Sequence, residues 1–324
     1  MSSIYDILTP SWLKATYLSG VDLTLDNGDP YDDRVFADSL QRAVKALEHE
    51  LSIQIDPFSH LDEHHDAVPE QHQSYWPFRL DNRPVSRVRA CRIAYGTSQQ
   101  QTIPEKWINV FAHDHGVVHL VPTGGALTGF VYSGSLPLLM QSAFTPTTWI
   151  PGFFRFDYDS GFQTARGTVT IPAGERDASV TFDEAFVGRY DLDVTFDDPE
   201  ITRGVTGYDV THRDVKGFAL RLRTAPQGGD LTLAWTASTI PADLKAVIGM
   251  MAAMLPLNIA GDLIAGAGIA NFSISMDGLS QSIGTTASAT NAGYGARVLQ
   301  FRKEIDQHLP ALRARYRMPN IALL

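Results

Sequence analysis

Apolar residues return every three or four positions in four stretches of the chain, the spacing of one face of an α-helix. Leu40, Val44, Leu47 and Leu51 predict a helix over about 31–53, opened by the turn and acidic chemistry of Asp29-Pro30-Tyr31-Asp32-Asp33. A shorter helix is expected near Ser11–Tyr17. Leu244, Val247, Ile248, Met251, Ala252 and Leu255 mark a third, started by Thr239 as cap and Pro241 in the first turn, and expected to run through Met254. The fourth spans about 292–316. Tyr294, Val298, Phe301, Ile305, Leu309 and Leu312 share one face, Arg297, Arg302, Lys303, Glu304 and Asp306 the other, and Pro310 predicts a kink.

Between the second and third helices the period shortens to two. Residues 83–162 read as strand-rich: Val85–Ile93 alternates, and Trp107–Val110, Val117–Val121 and Phe153–Tyr158 follow. From 163 to 238 short alternating runs recur between turn signals, at 167–171, 178–182, 191–196, 207–211, 217–223 and 230–236, the rhythm of a small β-sandwich. Residues 56–82, rich in His, Asp and Glu, read as an exposed polar arm ending in the aromatic run Tyr75-Trp76-Pro77-Phe78. Beyond the third helix, 257–269 is apolar but broken by three glycines and an aspartate, so it falls short of the about 20 uninterrupted apolar residues of a membrane span. Ser273–Gly284 alternates small polar and apolar residues around an Asp277-Gly278 turn signal.

Several of these passages resemble tailed-phage head-to-tail connector (adaptor or neck) proteins. Tyr17-Leu18-Ser19-Gly20-Val21 with the helix Asp33–Glu48 is similar to their first helices; Phe156–Phe162, resumed as Ile240–Ile248, is similar to their strand-to-helix passage; and Met276–Ser280 through Gly293-Tyr294-Gly295 is similar to the loop and last helix of neck proteins. The resemblance implies an α+β chain: a discontinuous helical connector domain with a β-hairpin or sheet region and an inserted small β-sandwich. Its expected divisions are 1–82 (helices and linker), 83–162 (β-rich region), 163–238 (inserted sandwich) and 239–324 (C-terminal helices and tail).

Composition narrows the partners. A formal net charge of −10 argues against nonspecific DNA binding, and 44% hydrophobic with 19% charged residues is ordinary for a folded protein. The single cysteine, Cys91, excludes an internal disulfide and reads as structural. Met1–Asp6 lacks the basic start and apolar core of a secretion signal, so retention inside the producing cell is expected.

Candidate chemistry is sparse. The acidic turn Asp22–Asp33 does not match a calcium loop, adjacent His64-His65 diverge, and His113, His115 and His119 make a weak metal set at a strand turn. The carboxylate pairs Asp183-Glu184 and Asp197-Asp198 serve a glycosidase only if brought together across a cleft. No phosphate loop, nucleophile elbow or His-Glu-x-x-His motif appears. Neither an enzyme nor a cofactor or metal site is expected.

The resemblance implies a virion neck subunit, made in the host cytoplasm, that forms a ring of about twelve copies through heterologous contacts between the portal and a tail terminator or other neck protein. DNA passes its lumen without sequence recognition, and no membrane is involved; the acidic residues at 22–33 and in the 60s are expected to line that lumen. Subunit packing is expected of Leu244, Val247, Ile248, Met251, Val298, Phe301 and Ile305. Portal contact is expected of Arg313, Arg315, Tyr316, Arg317, Met318 and Ile321. The alternative is a tail or surface protein whose sandwich binds carbohydrate through Tyr190, Tyr208 or Trp235, although Trp235 shares a strand face with Leu231 and Leu233 and so suits the core.

Overall fold

In the computed structural model, which describes residues 2–25, 27–68, 77–95, 99–121, 149–196, 207–226, 229–265, 271–276, 279–284 and 294–317, the chain is α+β with antiparallel sheets, and no closed barrel forms among the described residues. It divides into a β unit, residues 1–6 with 53–240, and a helical unit, residues 7–52 with 241–324. This partition differs from the expected four segments. The 83–162 and 163–238 regions belong to one unit, and residues 53–82 join them.

The β unit begins with β1 (Phe58–Ala67), β2 (Pro77–Arg79), β3 (Val85–Tyr95), β4 (Gln99–Thr102), β5 (Ile108–Ala112), β6 (Val117–Leu120) and β7 (Ile150–Ser160). Four of these form a sheet in the order β1-β7-β3-β4, and three form another in the order β2-β6-β5. Strand β7 is the spine: Phe153, Phe154, Phe156 and Tyr158 are all 0% exposed. Phe78 of β2 joins the two sheets, its ring centroid 4.7 Å from that of Phe154 and 5.1 Å from that of Phe156.

The expected polar arm at 56–82 is instead a ten-residue strand for much of its length, with β1 paired along β7 from Phe58↔Ser160 to Ala67↔Ile150. An edge strand tolerates charged side chains because one flank faces solvent, so polarity alone did not mark it as a loop. Of the aromatic run at its end, Tyr75 and Trp76 lie outside the described residues, while Phe78 is buried.

The remaining strands are β8 (Thr164–Ile171), β9 (Asp177–Thr181), β10 (Asp191–Phe196), β11 (Tyr208–Asp214), β12 (Gly217–Leu222) and β13 (Leu231–Ser238). They form two three-stranded antiparallel sheets, β10-β13-β8 and β11-β12-β9, around a core of their own that includes Phe182, Tyr190, Phe218, Leu233 and Trp235. The two-residue period does the sorting: on β13, Leu231, Leu233, Trp235 and Ala237 are buried.

Four separated segments meet at one junction in this unit. Asp56 Oδ1 accepts hydrogen bonds from Ser3 Oγ and the Ile4 amide, both at 2.8 Å. The Phe162 amide donates to Ile55 O at 3.1 Å, and the Thr239 amide to Gln163 O at 3.0 Å. Thr239 Oγ1 accepts from the Gln163 amide at 2.9 Å, while Thr164 Oγ1 donates to Ser2 O at 2.8 Å. Gly161 permits the approach. Its φ is +95°, and a Cβ there would fall 2.8 Å from Asp56 O.

The helical unit contains α1 (Pro10–Tyr17), α2 (Asp33–Leu51), α3 (Ala242–Ala265) and α4 (Gly295–Tyr316). Thr9 caps α1 by accepting from the Trp12 amide at 3.1 Å, and Asp32 caps α2 by accepting from the Arg34 amide at 2.9 Å. Helix α3 does not stop at Met254: it continues through Pro256 to residue 265. An internal proline costs about 3 kcal/mol, and here the helix beyond it buries Leu257 and Ala260, at 0% and 2% exposed. Ala242–Gly261 is long and apolar enough to cross a membrane, and 61% of that window is buried inside the chain, as in a core helix. Between α3 and α4 lie β14 (Asn271–Met276) and β15 (Leu279–Gly284), an unbulged antiparallel hairpin whose expected turn, Asp277-Gly278, lies outside the described residues.

Tyr17 fixes how α1, α3 and α4 meet. Its ring fills a notch at Gly249, where a Cβ would come within 2.2 Å of Cε2. The same ring packs edge-on against Trp12 and Phe301, with centroids 5.5 and 6.1 Å away. Gly249→Ala is therefore expected to overpack the notch and lower stability by about 1–3 kcal/mol, measured by denaturant unfolding; an unchanged midpoint would show that Tyr17 does not need the notch.

Candidate functional site

Strand β1 brings its histidines and acids against β7, where sequence alone did not join them. The Tyr158 hydroxyl donates a very short hydrogen bond to Glu63 Oε2 and accepts from the Asn82 amide at 3.1 Å and from Asn82 Nδ2 at 3.2 Å. Glu63 Oε1 accepts from His65 Nε2 at 2.8 Å and from the Asp81 amide at 3.0 Å. Burial opposes charge on Glu63, but the hydrogen bonds from His65, Tyr158 and Asp81 prevail and keep the carboxyl below its ordinary range. The Tyr158 hydroxyl is pushed up, first by burial and then by its bond to Glu63.

His60 stacks on Tyr158 at 4.8 Å, with Nε2 2.8 Å from Ser160 Oγ and Nδ1 3.3 Å from Asn82 Nδ2. Serine, histidine and asparagine in a row suggest a nucleophile and its base, yet the protons are placed the wrong way round. The single Tyr158 hydrogen goes to Glu63, so Asn82 must present its amide nitrogen to Tyr158 and His60. His60 Nδ1 then accepts, and Nε2–H donates to Ser160. An activated serine needs the reverse, and Ser160 is 0% exposed. The set is a structural relay.

On the neighbouring part of this sheet, buried Asp159 is satisfied by Arg89 Nε at 2.8 Å and Ser59 Oγ at 2.7 Å, and Asp157 by Arg92 at 2.5 Å. Asp62 receives His64 at 3.1 Å and Arg155 at 2.9 Å; the His64 hydrogen bond is the chief cause of its lowered carboxyl pKa. These pairs neutralise one another. Among the described residues, no three His, Cys, Asp or Glu side chains converge to hold a metal ion. Cys91 is 0% exposed, and burial pushes its thiol up, away from reactivity.

A pocket of about 460 Å³ opens at the end of the sandwich beside the junction. Trp235, Phe182 and Phe186 form its apolar base, and Asp183, Glu184 and Arg166 stand among its polar lining. The Asp183-Glu184 pair was visible in the sequence; its position beside Trp235 was not. Tyr190, expected at a groove in the carbohydrate alternative, is 2% exposed and donates its hydroxyl to Gly217 O at 2.8 Å, so it is a core residue. The other pair, Asp197-Asp198, lies outside the described residues.

The residues expected at subunit contacts sit mainly in the chain's own helical core. Leu244, Val247 and Ile248 are each 0% exposed, Val298, Phe301 and Ile305 are 6%, 8% and 6% exposed, and Met251 is half-buried. Their helical spacing reports burial equally well within a subunit or between subunits. The C-terminal set divides. Tyr316 is 0% exposed, Arg313 and Arg317 reach Glu50 of α2 at 2.8 and 3.6 Å, and Arg315 is exposed. Met318 and Ile321 lie outside the described residues. Tyr316 is thus corrected from an outward contact to a core anchor.

Against known proteins, the chain matches no family model and no curated protein.

Two outcomes test the relay. Tyr158→Phe leaves Glu63 and Asn82 short of a partner and is expected to destabilise the chain by about 1–3 kcal/mol in denaturant titration, with secondary structure intact. Burial lowers the pKa of His60, with Glu63 and Asp159 opposing. As pH falls below about 6.5 the unfolded histidine gains a proton that the folded one resists, so stability is lost until pH reaches the lower folded value. Thermal unfolding of His60→Gln is expected to lose part of this pH dependence; an identical profile would assign it elsewhere.

Proposed function

We propose that this chain is a non-enzymatic structural subunit of a tailed-phage neck, forming a ring that joins the portal to the next neck or tail component. The observation that carries the reading is the discontinuous helical unit. The passages resembling connector helices at the front of the chain, α1 and α2, pack with those at the back, α3 and α4, into one unit, although residues 53–240 intervene. A connector with a large β insertion has this organisation.

Ring closure needs outward apolar surface, and the helical unit carries some. Leu25, Leu255 and Leu299 are 42%, 36% and 45% exposed. We assign heterologous subunit contact to these residues in place of the buried Leu244, Val247 and Ile248. The hairpin of β14 and β15 adds a second contact. Among the described residues these strands pair only with each other, a two-stranded ribbon is marginal in water, and residues 271–276 and 279–284 contain no Lys, Arg, Glu or Pro to guard the edges. Arg315, Met318 and Ile321 stay as the proposed portal contacts, while Arg313 and Arg317 pair with Glu50. The net charge of −10 suits a channel through which DNA slides without adhering.

The test is the mass of the purified chain in solution, alone and mixed with the portal protein of the same virus. A ring, or a monomer that becomes ring-bound on portal, is the expected result, and Leu255→Glu with Leu299→Glu should weaken that assembly while leaving the monomer folded. A monomer or trimer indifferent to portal overturns the proposal.

A further inference from the structure

The pocket at the sandwich end has features that neither the helical unit nor a ring requires. We propose that it binds a neutral hexopyranose unit of a glycan.

Its size lies within the range of small-molecule sites. The loop that carries Asp183 and Glu184 is braced on both sides. The Phe182 amide donates to Lys216 O at 2.8 Å and the Phe186 amide to Val215 O at 2.7 Å. Gln163 grips the same loop, its Oε1 accepting from the Val187 amide at 2.6 Å and its Nε2 donating to Ala185 O at 3.3 Å. The two carboxylates therefore stand on a preformed support rather than a free turn, so ordering costs little on binding.

The lining selects the ligand class by its mixed signs. Asp183 and Glu184 share the pocket with Arg166, and Arg87 stands 4.0 Å from Glu184. An anion meets the carboxylates and a cation meets the guanidinium groups, whereas a neutral hydroxyl gives to the first and takes from the second. Thr164 Oγ1 donates its hydrogen to Ser2 O and keeps lone pairs for a further donor, and Thr181 adds an exposed hydroxyl. The aromatic rings of Trp235, Phe182 and Phe186 line the same pocket and offer apolar surface to the C–H groups of a sugar ring. Trp235 is the largest side chain of the pocket's apolar base. It is 8% exposed, lines the pocket, and its indole N–H has no acceptor among the described residues. Its nitrogen packs over Gly167 of β8, so what the indole offers the pocket is its ring.

The experiment titrates the full chain with the methyl glycosides of glucose, galactose and mannose, with glucuronate and glucosamine as charged controls, followed by saturation-transfer and indole ¹H–¹⁵N spectra. At least one neutral glycoside is expected to saturate with a Kd of roughly millimolar, to outcompete both charged sugars, and to shift the one indole resonance missing from Trp235→Phe. The double variant Asp183→Asn with Glu184→Gln should weaken binding at least about tenfold, because both changes remove charge-assisted acceptors. Thr181→Arg, at an exposed strand position of the lining, should abolish it while leaving the fold intact. No saturable neutral glycoside below about 50 mM, binding that survives both variants, an unmoved Trp235 indole, or preference for a charged sugar overturns the proposal. The solution mass of the chain is read separately, so either proposal fails without the other.

Discussion

Everything in the β unit depends on how four distant pieces of chain are tied at one place. Ser2–Ile4, Gln54–Asp56, Gly161–Thr164 and Ser238–Ile240 exchange backbone and side-chain hydrogen bonds there. The entry of the β unit is bonded to Phe162 and its exit to the next residue, Gln163. A long insertion is compatible with a continuous parent unit only when its ends are held together, because separated ends would draw α2 and α3 apart. Gly161 is where this constraint is most local, since any Cβ would strike the Asp56 backbone.

The same junction accounts for the pocket. Thr164 leaves it as the first residue of β8, and Gln163 just before it uses its side chain to hold the 183–187 loop. Sandwich and first sheet thus share a hinge of hydrogen bonds but keep distinct hydrophobic cores, one built on Phe153, Phe154, Phe156 and Trp107, the other on Phe182, Phe218 and Trp235. Chemistry-bearing side chains are concentrated on β1 and β7, and there each buried charge has a partner. Such a saturated network specifies strand register and has little capacity left for a substrate.

The helical unit combines tight internal packing with exposed leucines. Tyr17 in the Gly249 notch is the internal part, and Leu25, Leu255 and Leu299 are the outward part. The proposed ring draws on both: a core that folds without neighbours, and surface that gains from them.

Local periodicity determined the element types. The two-residue alternation of Asp191–Phe196 and Leu231–Ser238 and the helical stripe of Leu40, Val44, Leu47 and Leu51 each specify an element with its buried face, because burial on a strand or helix repeats at a fixed period. Periodicity failed where an edge strand was polar, at β1, and where tertiary burial of Leu257 and Ala260 carried α3 through Pro256. It also could not say who covers an apolar stripe, so Leu244, Val247, Ile248 and Tyr316 looked the same whether they faced a neighbour or their own core. Only the tertiary structure decided those cases. It also set the protonation of His60 through Asn82 and Tyr158 and brought Asp183 beside Trp235, because contacts between residues 22 to 100 positions apart depend on how the elements pack.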